Sequence, residues 1–243
     1  MAMALAEAGA QVLIASRTEE QLAGVTEEIR AAGGKADYFV FDATKSADVD
    51  ALVQDCVLRY GQIDVMFANA GGGQGPDLEF WEFPDDGFQA TMEQNLHSVF
   101  YAARAASAQM MKQGTPGVVV PTASGSALRG RLPFAYPTAK GGVLSLTRSM
   151  AMTLAAHNIR VNTIVPGYVS QRPPKDAQEQ AVREQRGSFV PVKRLGEWWE
   201  LGPLAIFLAS EASSYITGAQ FIIDGGGLAA GLGPVGFRPR HEV

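Results

Sequence analysis

From Gln11 to Ile223 the chain alternates short apolar runs with longer amphipathic segments, and this alternation restricts its fold more than any other feature. The runs at 11–15 (QVLIA), 38–41, 63–68 (IDVMFA), 117–122 (GVVVPT), 159–165 and 219–223 have the length and residue types of buried strands. Between them lie segments with helical spacing. In the one from Glu19 to Ala32, Leu22, Val25 and Ile29 recur every three or four residues and Gly33-Gly34 ends the pattern. Others cover 46–60, with Ser46 as N-cap, then 85–112, 136–157 and 197–210, and residues 2–8 read as the end of a helix stopped by Gly9. Strands alternating with helices of this length imply βαβ units. The expected fold is α/β: a doubly wound, Rossmann-like parallel sheet in a single domain covering 1–243. A polar, proline-containing stretch at 167–195 interrupts the rhythm, and a glycine-rich tail follows from 228.

Composition narrows the function classes. With 243 residues, 47% hydrophobic and 19% charged, the chain has enough apolar material for one large core. A net charge of −5, with acids and bases mixed, lacks the basic footprint of a nucleic-acid binder. The single cysteine, Cys56, allows no internal disulfide and fits a reducing compartment. The first ten residues carry Glu7 and no basic region, so they do not read as a signal peptide, and no apolar stretch is long enough to span a membrane. A soluble cytoplasmic protein is expected. The three histidines, His97, His157 and His241, show no metal-ligand pairing, so no metal is expected.

In doubly wound sheets ligands sit beyond the carboxyl ends of the strands. The residues at those ends here are Ser16-Arg17, Asp42-Ala43-Thr44, Asn69-Ala70-Gly71, Thr122–Ser126 and Pro166-Gly167. Their small, polar and turn-forming character suits a backbone approaching a nucleotide. Nearby, Tyr136 and Lys140 stand four apart, so a helix would present both on one face. A neighbouring ammonium favours a phenolate, which brings a tyrosine toward general acid–base work. By itself a Tyr-x-x-x-Lys pattern is common, and its company decides its meaning.

Asn69-Ala70-Gly71 after a strand, Asn95 in a long helix, Ser124 after another strand, Tyr136-x-x-x-Lys140, Pro166-Gly167 and Asp224-Gly225-Gly226 occur in that order. In order and spacing this set resembles the short-chain dehydrogenase/reductase family, over residues 2 to about 227. The resemblance implies an oxidoreductase that moves a hydride between a nicotinamide cofactor and an alcohol or carbonyl. Tyr136 would exchange the proton with the substrate oxygen, and Ser124 would orient that oxygen. Lys140 would assist Tyr136 and bond the nicotinamide ribose, while Asn95 would hold a relay water. Asn69, Ala70, Gly71, Pro166, Gly167 and Val169 would line the cofactor, with Asp42 and Ala43 at the adenine. Some positions keep a second reading. Asn95 could bond only the backbone of its helix, Asp42 could be a turn residue, and Asp224 could serve only a tight turn. Ser126 competes with Ser124, because the family spacing to the tyrosine is one residue longer than the twelve found here. A one-residue shortening before Tyr136 restores Ser124, which is preferred.

After QVLIA the chain continues Ser16-Arg17-Thr18, with no acid until Glu19. An acid there would bond a ribose 2′-OH, whereas an arginine accommodates a 2′-phosphate, so NADP(H) is favoured over NAD(H). The family also opens with a strand and a glycine turn, Thr-Gly-x-x-x-Gly-x-Gly, that grips the pyrophosphate at a helix N-terminus. This sequence reads as starting inside that helix, with about 15–25 residues fewer than the pattern. The expected consequence is a sheet without its central strand and a phosphate site without its main donors. An inactive or impaired scaffold subunit is therefore the alternative to an enzyme. The segment 167–195 occupies the place of the family's substrate lid, with Gln171 where relatives carry a threonine. Leu128, Leu132, Phe134 and Tyr168 could supply apolar walls. A homo-oligomer, tetramer or dimer, is expected, and the small residues Ala102, Ala103, Ala105 and Ala106 suit either a subunit contact or an internal one.

Overall fold

A computed structural model describes residues 1–73, 78–130 and 133–230. Leu132 and most of the tail expected from 228 onward lie outside the described residues. Among the described residues there are seven strands, paired in parallel, and eight α-helices. They run α1 (Ala2–Glu7), β1 (Gln11–Ser16), α2 (Glu19–Ala31), β2 (Lys35–Val40), α3 (Ser46–Tyr60), β3 (Val65–Ala68), α4 (Asp85–Met92) and α5 (Ser98–Gln113). Then come β4 (Gly117–Pro121), α6 (Ala135–Leu154), β5 (Ile159–Val161), β6 (Thr163–Pro166), α7 (Ala177–Gly187), α8 (Leu201–Ala209) and β7 (Gln220–Ile223). The Rossmann-like parallel architecture expected from the sequence is present.

β4 sits at the middle of the sheet and is buried throughout. It pairs with β3 on one side and β5 on the other, and the chain just beyond it bonds β6 through Ala123 N–H to Ile164 O at 2.9 Å. β6 pairs in turn with β7. Alternation along β4 divides two cores. Val119 packs with Val49 and Val53 of α3, Met110 of α5 and Ile159 on one face, while Val118 and Val120 meet Ile164 and Leu208 of α8 on the other. Each fully buried valine contributes about 1.5–3 kcal/mol. Ala103, Ala105 and Ala106 lie in the first of these cores, so the small face of α5 is spent on internal packing.

β1 and β2 form a separate parallel pair. Among the described residues no backbone hydrogen bond joins β1 to β3, the strand that would face it across the sheet. Val12 to Ser16 and Val65 to Phe67 are only half-buried, in contrast to β4. The two parts are held together by helices, with α1 against α8 and α3 against α5. Among the described residues, then, β1-β2 stands apart from β3-β4-β5.

Other expectations change in detail. The helix foreseen over 85–112 is interrupted at Glu93–His97 by a π-helical turn. The strand foreseen over 159–165 breaks at Asn162, whose buried carboxamide donates to Ile216 O and accepts from Ala219 N–H. Ser46 is the first helical residue rather than the cap, and its hydroxyl accepts from Arg104. The stretch 167–195 is not irregular throughout, because it contains α7.

Candidate active site

Asn95, Lys140 and Tyr136 gather near the carboxyl ends of β3 and β4, and Ser124 follows β4 in the chain. β3 ends at Ala68, and Asn69-Ala70 lead to Gly71, whose backbone takes φ +156°. A Cβ at Gly71 would lie 2.9 Å from Asn95 Oδ1 and 3.0 Å from Lys140 Nζ, so only glycine lets the chain pass this closely over both. Asn95 is fully buried within the π-helical turn. Its Oδ1 accepts from Gly72 N–H at 3.0 Å, and its Nδ2 donates to Gly72 O and Thr91 O, each at 3.1 Å. The widened turn is the kind of local irregularity that functional positions often carry. Asn95 thus bonds its own helix through Thr91 O, as its second reading had it, and lies close to Lys140.

α6 begins at Ala135, so Tyr136 and Lys140 stand one turn apart on it, with Lys140 Nζ 5.9 Å from the centre of the Tyr136 ring. Lys140 is 3% exposed, and its Nζ donates to Thr122 O at 2.8 Å, just beyond β4. Burial pushes its pKa down from 10.5 to about 8, because the ammonium loses hydration there. Tyr136 is half-buried. The Thr122 carbonyl was not foreseen from the sequence, since a backbone acceptor leaves no residue-type signal.

Ser124 caps the short 3-10 turn Gly125–Leu128, its Oγ accepting from Ser126 N–H at 3.2 Å and donating to Ser126 Oγ at 3.3 Å. Ser124 is partly exposed and Ser126 is buried beneath it. Of the two competing serines, Ser124 is the more accessible.

On the opposite side of the sheet split, Ser16 Oγ accepts from Thr18 N–H at 3.3 Å and Arg17 is exposed. Asp42 accepts from Thr44 N–H at 3.0 Å and Thr44 Oγ1 at 2.7 Å, which forms an Asx turn. Those bonds hold the Asp42 carboxyl below its ordinary pKa, with smaller help from Lys45 and Arg17. Its side chain therefore serves the turn foreseen as its second reading, and Ala43 is half-buried inside it.

Gly167 N–H donates to Ile223 O at 2.9 Å, and a Cβ at Gly167 would come within 2.5 Å of Asp224 Cβ. Asp224 accepts from Gly226 N–H at 2.9 Å and Leu228 N–H at 2.7 Å, so it too builds a turn. Pro166 is half-buried, and Val169 forms a bridge with Gly196 that pinches the base of the 170–195 segment. Phe134 packs against Phe80 and Phe83 at ring distances of 4.8 and 4.7 Å, just ahead of Tyr136. Among the described residues no group of three His, Cys, Asp or Glu side chains gathers to hold a metal, and no helix is long and apolar enough to cross a membrane.

A parallel sheet wound on both faces, with polar side chains gathered at the carboxyl ends of its strands, defines a Rossmann-like domain. The family model described as Enoyl-(Acyl carrier protein) reductase matches residues 1–227. The A-factor type gamma-butyrolactone 1'-reductase (1S-forming) of Streptomyces virginiae is 35% identical, over 91% of this chain and 87% of that protein. The L-rhamnose 1-dehydrogenase (NAD(P)(+)) of Azotobacter vinelandii is 36% identical, over 91% of this chain and 88% of its own length. A crystal structure of a short-chain type dehydrogenase/reductase from Mycobacterium marinum superposes with a TM-score of 0.84 at 37% identity, covering 93% of this chain and 89% of that one. The chain belongs to the short-chain dehydrogenase/reductase family, oxidoreductases that act on CH–OH groups.

Proposed function

We propose that the chain interconverts an alcohol and a carbonyl with NADP(H), using Tyr136, Ser124, Lys140 and Asn95. The observation that carries this reading is the convergence of Asn95 Oδ1 and Lys140 Nζ beneath Gly71, with Tyr136 one turn away on α6. When bound, a nicotinamide dinucleotide supplies or accepts the hydride. In the reducing direction Tyr136 gives its phenolic proton to the substrate oxygen, and in the oxidising direction it takes the proton back. Ser124 Oγ turns from its 3.3 Å contact with Ser126 and donates to the same oxygen. Lys140, held by the Thr122 carbonyl, places a positive charge behind Tyr136 and offers its remaining N–H donors to a ribose hydroxyl. Asn95 fixes the loop at Gly71 and Gly72 so that their backbone is presented to the cofactor.

The residues fit the cofactor unevenly. The exposed backbone of Gly71 above Lys140 suits the nicotinamide ribose, and the exposed Arg17 suits a 2′-phosphate. Asn69, Ala70, Pro166, Gly167 and Val169 stand at strand ends where they would line it. Among the described residues no glycine turn joins a strand to α1. The bridge between Val169 and Gly196 makes 170–195 a closed loop, suited to act as a lid over the substrate.

A second reading has its own observation. Among the described residues β1 and β3 share no ladder, and the alternative reading is a family member that serves as a scaffold or subunit. Titrating the protein with NADPH while following its fluorescence separates the two. Saturable binding with turnover supports the enzyme, and no saturable binding supports the scaffold.

A further inference from the structure

Arg129 lies between Ser124 and Tyr136 in sequence, just past the 3-10 turn that Ser124 caps. Tyr168 follows Pro166-Gly167 at the carboxyl end of β6, the strand beside the extension of β4. The two side chains meet across that end of the sheet. Arg129 Nη2 stands 3.4 Å from Tyr168 Oη, and the guanidinium carbon is 6.0 Å from the centre of the Tyr168 ring. The ring thus steadies the cation at that end of the sheet. Arg129 is partly buried, and among the described residues no carboxylate lies within ion-pair distance of it. Arg30, Arg59, Arg104, Arg172, Arg183 and Arg194 all have such partners.

A guanidinium with no carboxylate partner among the described residues, lying in the chain between Ser124 and Tyr136, can receive an anion from the substrate that those residues would hold. We propose that Arg129 binds a carboxylate of the substrate, so that the substrate class is hydroxy acids and their oxo counterparts. Tyr168 is the positioning residue that holds the guanidinium in place. The planar fork accepts both carboxylate oxygens, which fixes the orientation of the acid as well as its affinity. The assignment rests on the proposed reading only for the location of the cleft.

The test compares matched acids and neutral polyols by calorimetric titration: gluconate against sorbitol, tartrate against threitol, and mandelate against phenylethanediol. The unmodified protein is expected to bind at least one acid about 10- to 100-fold more tightly than its neutral partner. Arg129→Leu should reduce that ratio to about one, and Arg129→Lys should keep part of it, since a lysine retains the charge without the fork. If no acid is preferred by the unmodified protein, or if Arg129→Leu leaves the preference intact, the assignment is overturned. The unmodified protein decides the first point even where a variant fails to fold. Turnover in Tyr136→Phe is measured alongside. Unchanged turnover would remove the proposed proton donor while leaving a measured acid preference standing, so the two readings fail separately.

Discussion

The Asn95 carboxamide and the Gly72 peptide bond exchange two hydrogen bonds, Gly72 N–H to Oδ1 at 3.0 Å and Nδ2 to Gly72 O at 3.1 Å. A side chain from a π-helical turn thereby does for the loop after β3 what a neighbouring strand would do for a strand. It fixes a glycine backbone that no local secondary structure holds, and it does so next to Lys140.

Asn95→Ala should therefore destabilise the protein by about 2–4 kcal/mol, since it strands buried backbone groups and opens a small cavity. Asn95→Asp should be worse, because it turns a donor toward Gly72 O and Thr91 O into an acceptor. Urea denaturation of the three proteins checks the order. Equal midpoints would show that the carboxamide does not hold the loop.

Tyr136→Phe removes one hydroxyl that has no hydrogen-bond partner among the described residues. Its stability should change by less than about 1 kcal/mol, while kcat for any substrate should fall by about 100- to 10,000-fold. Thermal unfolding and steady-state turnover measured on the same preparation check both halves. A comparable loss of stability would mean that the hydroxyl is structural.

Lys140 makes stability depend on pH in a specific direction. Its folded pKa, about 8, lies below the ordinary 10.5 because of burial. Between those values the unfolded chain binds the extra proton, so stability rises with pH through that window. Below about pH 8 both states carry the proton, and the penalty for burying the ammonium applies in full. Its size is on the order of 3 kcal/mol. The stability difference between the natural protein and Lys140→Met should thus shift toward the natural protein as pH climbs from 8 to 10.5. A difference that stays constant across that range would refute the burial argument.

Arg17 is exposed at the end of β1 and makes no ion pair among the described residues. Arg17→Leu should weaken NADPH by about 10- to 100-fold and leave NADH unchanged, because only the former carries the 2′-phosphate. Titration with each dinucleotide gives the ratio directly. Parallel losses for both would place Arg17 elsewhere in function.

The reach of the sequence follows from what is local. α3 was legible to within one residue, because Val49, Leu52 and Val53 keep helical spacing and Gly61, at φ +84°, ends the run, although Ser46 is its first residue rather than its cap. Asn95, Ser124, Tyr136 and Lys140 could be listed together only through the family resemblance, since helix spacing by itself pairs only Tyr136 with Lys140. The π turn at 93–97 was not, since a shifted hydrogen bond leaves the residue pattern nearly unchanged. α7 was missed for lack of an apolar stripe, although Asp176 followed by Glu179 carried a cap signal, and Asp176 does accept from Glu179 N–H at 2.8 Å. The Lys140–Thr122 and Arg129–Tyr168 contacts depend on segments that only the folded sheet brings together.

The separation of β1 from β3 also bears on how the molecule breathes. Opening along that line disrupts helix contacts but no strand ladder, so the piece carrying β1 and β2 can detach as a cooperative unit before β3–β7 melts. In native-state hydrogen exchange the slowest amides should then cluster in β4 and its neighbours.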